Sequence, residues 1–330
     1  MNFFKLHTLL LGTALLAGAC SDDDDFKKTE VTQRPIQLPE KAYVLTEQSR
    51  SAILIMDATT KKNVWSWDPV TAQLPVAHQA WFGNPSEVKP VFNRRYILMT
   101  ASGGAVALIR VSDHKLMYYA QAGTNPHSAE ILPDGNIVVA NSTGHELCTF
   151  VTDTVNVLGT RANVIKLGNA HNAVWDKKRN LLYATATVKN DAQQNVTAIF
   201  SFGYNNDKNN PKLNNQKRIY TFQSDNGGHD LFPVEGESDM LWLTTAQHVW
   251  KYNVATNIPQ VAYNFTDIKS ISNSTDGIIM LRPTEEWWAE GLMNEQENQL
   301  FSLKGAKIYK GRWMTDNTFS YPETHDFVME

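Results

Sequence analysis

A chain of 330 residues with 30 basic and 34 acidic side chains has a formal net charge of −4, too near neutrality to suggest a basic groove for nucleic acid. Hydrophobic residues make up 42% of it, enough at this length to bury a large core. Its two cysteines, Cys20 and Cys148, exclude a disulfide-rich scaffold.

Lys5 precedes an apolar run from Leu9 to Ala17 that ends in Gly18, Ala19 and Cys20. That run is too short for a membrane span and reads as a secretion signal over residues 1–19. Leu16-Ala17-Gly18-Ala19-Cys20 resembles the lipobox of bacterial lipoproteins, with Ala17 where that family usually has Leu. The resemblance implies lipidation of Cys20 and attachment to a membrane by acyl chains, without a spanning helix. Ser21-Asp22-Asp23-Asp24-Asp25 is similar to the acidic export tag of Bacteroidota lipoproteins, which implies the outer face of the outer membrane. A solvated acidic linker is the other reading of that block. Residues 20–41, polar and carrying Pro35 and Pro39, form a tether, and 42–330 form the folded body. Once Cys20 is lipidated, Cys148 is left as a small buried hydrophobe.

From Ala42 onward, short β-branched and aromatic runs alternate with Asp, Asn and Gly turns, and long helical periodicity is absent. Setting His127 and His171 in register reveals a period. His127-Ser128-Ala129-Glu130 passes through Pro133-Asp134-Gly135 into Ile137 to Ala140, and His171-Asn172-Ala173-Val174 passes through Asp176 to Arg179 into Leu181 to Ala184. Further copies start at Ser86-Glu87-Val88, His229-Asp230-Leu231 and Lys269-Ser270-Ile271. Each is followed by two more strand-like runs, so the repeat is a four-stranded antiparallel sheet, the unit of a β-propeller. Ala42 to Pro69 holds three strands of a blade without its first. His325-Asp326-Phe327-Val328 has the form of His229-Asp230-Leu231-Phe232 and is expected to supply the missing inner strand. The expected fold is all-β, a six-bladed propeller closed by a C-terminal strand joining the first blade, which removes an open sheet edge. An open two-sheet sandwich is the competing architecture.

The first strand of each blade lines the channel, so the residues that open these strands should form a ring at one mouth. The ring would hold His325, Ser86 or Glu87, His127, His171, His229 and Lys269. Four of nine histidines fall on this one position. Imidazoles there can ligate a transition metal or exchange protons near neutral pH; lining a wet channel is the plainer role. His7, His78, His114, His145 and His248 have no partner in the repeat.

This histidine ring in a periodic β chain resembles oligogalacturonate lyase and related propeller polysaccharide lyases. The resemblance implies that His127, His171 and His229 hold a divalent metal such as Mn, Zn or Ni, which neutralises a uronate carboxylate. This chain has one blade fewer than those lyases and no placed amide ligand. As a whole it resembles uncharacterised Bacteroidota six-bladed propeller lipoproteins. Met56-Asp57-Ala58-Thr59-Thr60-Lys61-Lys62-Asn63-Val64-Trp65 is similar to the docking repeat of quinoprotein-type propellers. It implies interblade packing of Trp65 and Trp67; the adjacent cysteines of the quinone enzymes are absent, so no quinone is expected.

Two functions are open at this point. A lyase would remove the proton next to a uronate carboxylate, with His325 as base and Lys269 and Arg282 steadying the developing charge. A glycan-binding or scaffold protein would rely on aromatic platforms, for which Trp287-Trp288, in a loop over one mouth, are the candidates; Glu87 is a further substrate-binding candidate. The expected partners are an extracellular polysaccharide or oligosaccharide and the outer membrane, with the chain a monomer. No nucleophile elbow, phosphate loop or zinc-protease motif is present.

Overall fold

The computed structural model describes residues 36–153 and 156–321. The chain divides after Arg34, and the described residues all fall in its second unit, Pro35–Glu330. In the second unit the described strands form six four-stranded antiparallel sheets, each joined in simple up-and-down order. The sheets are the blades of a six-bladed propeller.

The inner strands of blades two to six are Pro85–Val91, Pro126–Ile131, Val174–Asp176, Asp230–Pro233 and Ser270–Ser274. Blade one is built from both ends of the unit. Ala42–Glu47, Ala52–Asp57 and Asn63–Trp67 supply three strands, and Ile308–Trp313 supplies the fourth. This closing strand pairs antiparallel with Ala42–Glu47, Tyr43 opposite Trp313 and Val44 opposite Arg312. The expected closing segment, His325–Val328, lies outside the described residues, and the place it was expected to fill is taken by Ile308–Trp313. The four-residue His-Asp pattern was the wrong guide, because the inner strand of blade one carries Lys310 and Arg312 where an apolar run was sought.

Alternation along the strands explains how the blades stack. In Ala52–Asp57, Ile53 and Ile55 join an apolar cluster with blade two, while Leu54 and Met56 join one with blade six. Every adjacent pair of sheets shares such a cluster. Successive side chains of a strand point to opposite faces, so a sheet buried on both faces reads as a continuous apolar run. Each fully buried aliphatic stabilises the ring by roughly 1.5–3 kcal/mol relative to exposure. Trp65 is a docking residue between blades one and two: its indole N–H donates to the Val111 carbonyl at 2.9 Å and its ring stacks on His114. Ile36 and Leu38 pack against the same cluster, so ordered packing begins a few residues before Ala42. Cys148 is free and buried between blades two and three. No helix among the described residues is long and apolar enough to cross a membrane.

Candidate functional site

The residue that opens each inner strand is set by a shared local geometry. His171 and His229 donate their backbone N–H groups to Thr185 and Thr244, and Lys269 donates to Leu281, each on the second strand of its own blade. Ser86, His127, His171, His229, Lys269 and Tyr309 therefore occupy one repeat position around the channel. The three imidazoles form a row, with ring centroids 4.4 Å apart from His127 to His171 and 5.7 Å from His171 to His229. Tyr309 stands beside His127, its hydroxyl 3.4 Å from Nδ1. Lys269 Nζ lies 2.9 Å from His229 Nε2. Lys269 sits on the ring as the repeat implies, and adjacent blades bring it into contact with His229. Ser86 is fully buried and bonds Thr100 and the Pro126 carbonyl.

The electrostatics keep this mouth uncharged apart from Lys269. Burial holds the His171 imidazole down at about 4, with Lys310 and Lys269 adding to the effect against the opposing hydrogen bond to the Asn169 carbonyl. Burial, then the neighbouring His171, hold His127 well below the usual histidine range, and burial and Lys269 do so for His229. At neutral pH all three are neutral. The bond to the Asn169 carbonyl at 3.2 Å requires a proton on His171 Nδ1, which leaves the Nε2 lone pair open. On His229 the ammonium donates to Nε2, so Nδ1 carries the proton, and it is buried with no hydrogen-bond partner. Burial also lowers Lys269 from the usual lysine value, with Asp267 opposing.

Below the ring the channel is plugged by buried charge. Lys310 donates to Glu87 and Asp230, both at 3.1 Å, and the Arg312 guanidinium bonds the same two carboxylates at 2.8 and 2.6 Å. The side chains of all four are at most 1% exposed. Arg312 also stacks on Phe232, 3.8 Å from its centroid. Lys89 donates to the carbonyls of Ala129 and Ala173 and lies 3.5 Å from Glu130. Glu87, expected to bind substrate, is consumed by this plug and has no exposed surface to offer. Its partners Lys310 and Arg312 were not foreseen, because sequence spacing does not show which charges meet across a closed ring.

The remaining expected site residues are dispersed. Arg282 lies away from the ring, paired with Glu297 and stacked on Phe265 beside a cleft at the outer strands of blade six. Trp288 lines that cleft under the Lys307 ammonium. Trp287 is 44% exposed and donates to Gln48, whose amide donates to the Pro85 carbonyl next to Ser86. That chain of contacts sets an open indole on the mouth face. Beside His171, between blades four and five, a cavity of about 250 Å³ is lined by Asn169, Thr185, Thr187, Asn195, Asn226 and the Gly227-Gly228 turn. His145, without a partner in the repeat, fixes one wall: its Nδ1 accepts the backbone N–H of Asn169.

The three imidazoles in this arrangement do not fit the metal centre that the lyase resemblance implies. An ammonium occupies the lone pair of His229 and adds a positive charge beside the row. Among the described residues no group of three or more His, Cys, Asp or Glu side chains is arranged to hold a metal ion.

A model of a protein family described as DUF6528 matches residues 1–330. The chain belongs to this family of unknown function. No curated protein matches it. Among solved structures, the DUF6528 chain is similar to a nidogen/laminin complex at 11% identity and a TM-score of 0.55, covering 83% of this chain and 98% of that one. It is similar at 14% identity and a TM-score of 0.50 to a protein of unknown function from Bacteroides caccae, with the same coverage. Likeness at this level of identity shows the propeller fold.

Proposed function

We propose that the channel mouth binds the carboxylate of an acidic extracellular glycan, on a lipoprotein displayed at the outer membrane. The observation that carries this reading is Lys269: the one cation on the ring hydrogen-bonds a neutral imidazole rather than a carboxylate, and with Asp267 acting on it only through space its ammonium keeps hydrogen-bonding capacity for an anionic ligand. Neutral histidines beside it donate and accept hydrogen bonds without repelling an anion, and the buried plug beneath offers no competing carboxylate because Glu87 and Asp230 are already paired. Trp287 on the same face gives a sugar ring a surface to stack on.

Elimination is the reaction this ring is equipped to assist. Lys269 would hold the uronate carboxylate while the Nε2 lone pair of His171 takes the proton from the adjacent carbon. The electron pair forms the new C=C bond, the glycosidic C–O bond breaks with its electron pair on oxygen, and the proton taken by His171 passes to that oxygen, directly or through water, giving the new hydroxyl of the departing sugar and restoring the neutral imidazole. A bound carboxylate raises the pKa of a neighbouring imidazole, which improves His171 as a base only when substrate is present. The test is calorimetric titration of the soluble domain with galacturonate oligomers, followed by absorbance of unsaturated products in the near ultraviolet. Lys269→Met should lose binding. Binding without products would leave a glycan-binding protein; no binding of any acidic glycan would refute the reading.

A further inference from the structure

Resting on that reading, we propose that the site continues from His171 into the cavity between blades four and five, which takes an uncharged sugar. The ligand is then a glycan that alternates uronic acid with neutral sugar, rather than a polymer of uronate alone.

The argument starts from the cavity wall. His171 lines it, so the cavity is continuous with the imidazole row. Its other side chains are three carboxamides, Asn169, Asn195 and Asn226, and the hydroxyls of Thr185 and Thr187, with Ala186 the one apolar side chain. Carboxamides and hydroxyls offer donors and acceptors in pairs, which match the hydroxyl and acetamido groups of a neutral sugar. No Lys or Arg lines it. A second carboxylate there would meet no cationic partner, whereas a neutral sugar needs none. Asp225, buried and directly preceding Asn226, adds negative charge on that side; its Oδ2 accepts from Thr245 and lies 2.9 Å from His248 Nδ1.

Shape supports the same occupant. The cavity holds the equivalent of about eight waters at liquid density, the scale of one sugar ring rather than a longer chain. Gly227 takes a left-handed φ of +67°, and a Cβ on Gly228 would lie 2.7 Å from the Thr197 side chain. The turn is therefore pressed close against blade four, leaving the mouth side open. No Trp, Tyr or Phe ring lines the cavity, so hydrogen bonds rather than stacking would set its selectivity.

The experiment compares two probes on the soluble domain by calorimetry: a tetrasaccharide alternating glucuronate with N-acetylglucosamine, and trigalacturonate. The expected result is a preference of about tenfold for the alternating probe, the scale of two net hydrogen bonds. Asn226→Asp, an isosteric change at an exposed position, should erase that preference while trigalacturonate affinity falls or stays level. Lys269→Met should weaken both probes. Equal affinities, or a preference untouched by Asn226→Asp, would overturn the neutral subsite and leave the carboxylate site standing. Failure of both probes to bind would overturn both.

Discussion

Arg312→Met isolates the plug from the rest of the propeller. The guanidinium bonds Glu87 and Asp230 and also donates to the Val88 and Ile271 carbonyls. Methionine keeps part of the contact with Phe232 but leaves two buried carboxylates facing one ammonium, Lys310. Breaking a buried pair in this way costs roughly 3–5 kcal/mol, because the unmatched charge stays behind. At roughly 2–4 °C per kcal/mol for a large domain, the Tm in scanning calorimetry at pH 7 should fall by roughly 10 °C. The pH dependence makes the test specific. In the parent, the two cations hold Asp230 and Glu87 below the usual carboxylate range against the opposing effect of burial. Their ionised forms thus contribute stability above the unfolded values of about 3.9 and 4.3, and that contribution is lost as pH falls through the lower folded values. In the variant one carboxyl is pushed above its unfolded value, so its penalty grows as pH rises past about 4. The gap in Tm between parent and variant should therefore be widest near pH 7 and narrow toward pH 4.5. A gap below 2 °C, or one that does not change with pH, would refute the claim that uncompensated charge is what the variant exposes.

Three more predictions follow from the same geometry. Because folded His171 titrates at about 4 and an unfolded histidine near 6.5, parent stability should decline as pH falls across that window, and His171→Asn should flatten the decline; urea unfolding at pH 7, 6 and 5 measures it. Burial pushes the Cys148 thiol up to about 12, so the native protein should resist a thiol reagent at pH 8 and react fully once unfolded. Elemental analysis after purification in zinc-, manganese- and nickel-supplemented medium should find no stoichiometric metal, because Lys269 holds the His229 lone pair; one metal per chain would overturn that reading of the ring.

The blades and five of the six ring positions were legible in the sequence, because each inner strand opens with a polar residue and leads through a turn into an apolar run. Ser86, His127, His171, His229 and Lys269 satisfy that pattern. The sixth position did not: Ile308-Tyr309-Lys310-Gly311-Arg312-Trp313 places two cations inside a strand, which reads as solvent-exposed until Glu87 and Asp230 are seen to face them. Spacing held the missing signal, since forty residues separate His229 from Lys269 and forty more reach Tyr309. The cavity beside His171 was illegible for another reason. Asn169 lies in a turn, Asn195 opens the strand Asn195–Tyr204 and Asn226 lies in the loop that leads from blade four into blade five, so no sequence spacing announces that they share a wall.

The closing strand is also the last of the described strands to leave the ribosome. Until Ile308–Trp313 emerges, a nascent chain has five complete blades' worth of sequence but lacks the counter-charges for Glu87 and Asp230, and its first blade has a bare inner edge. Early collapse around those carboxylates is thereby discouraged. Completion of the mouth, with Tyr309 as its final member, becomes a report that synthesis has run past that strand: a product cut short before it would present an anionic, unsealed bore.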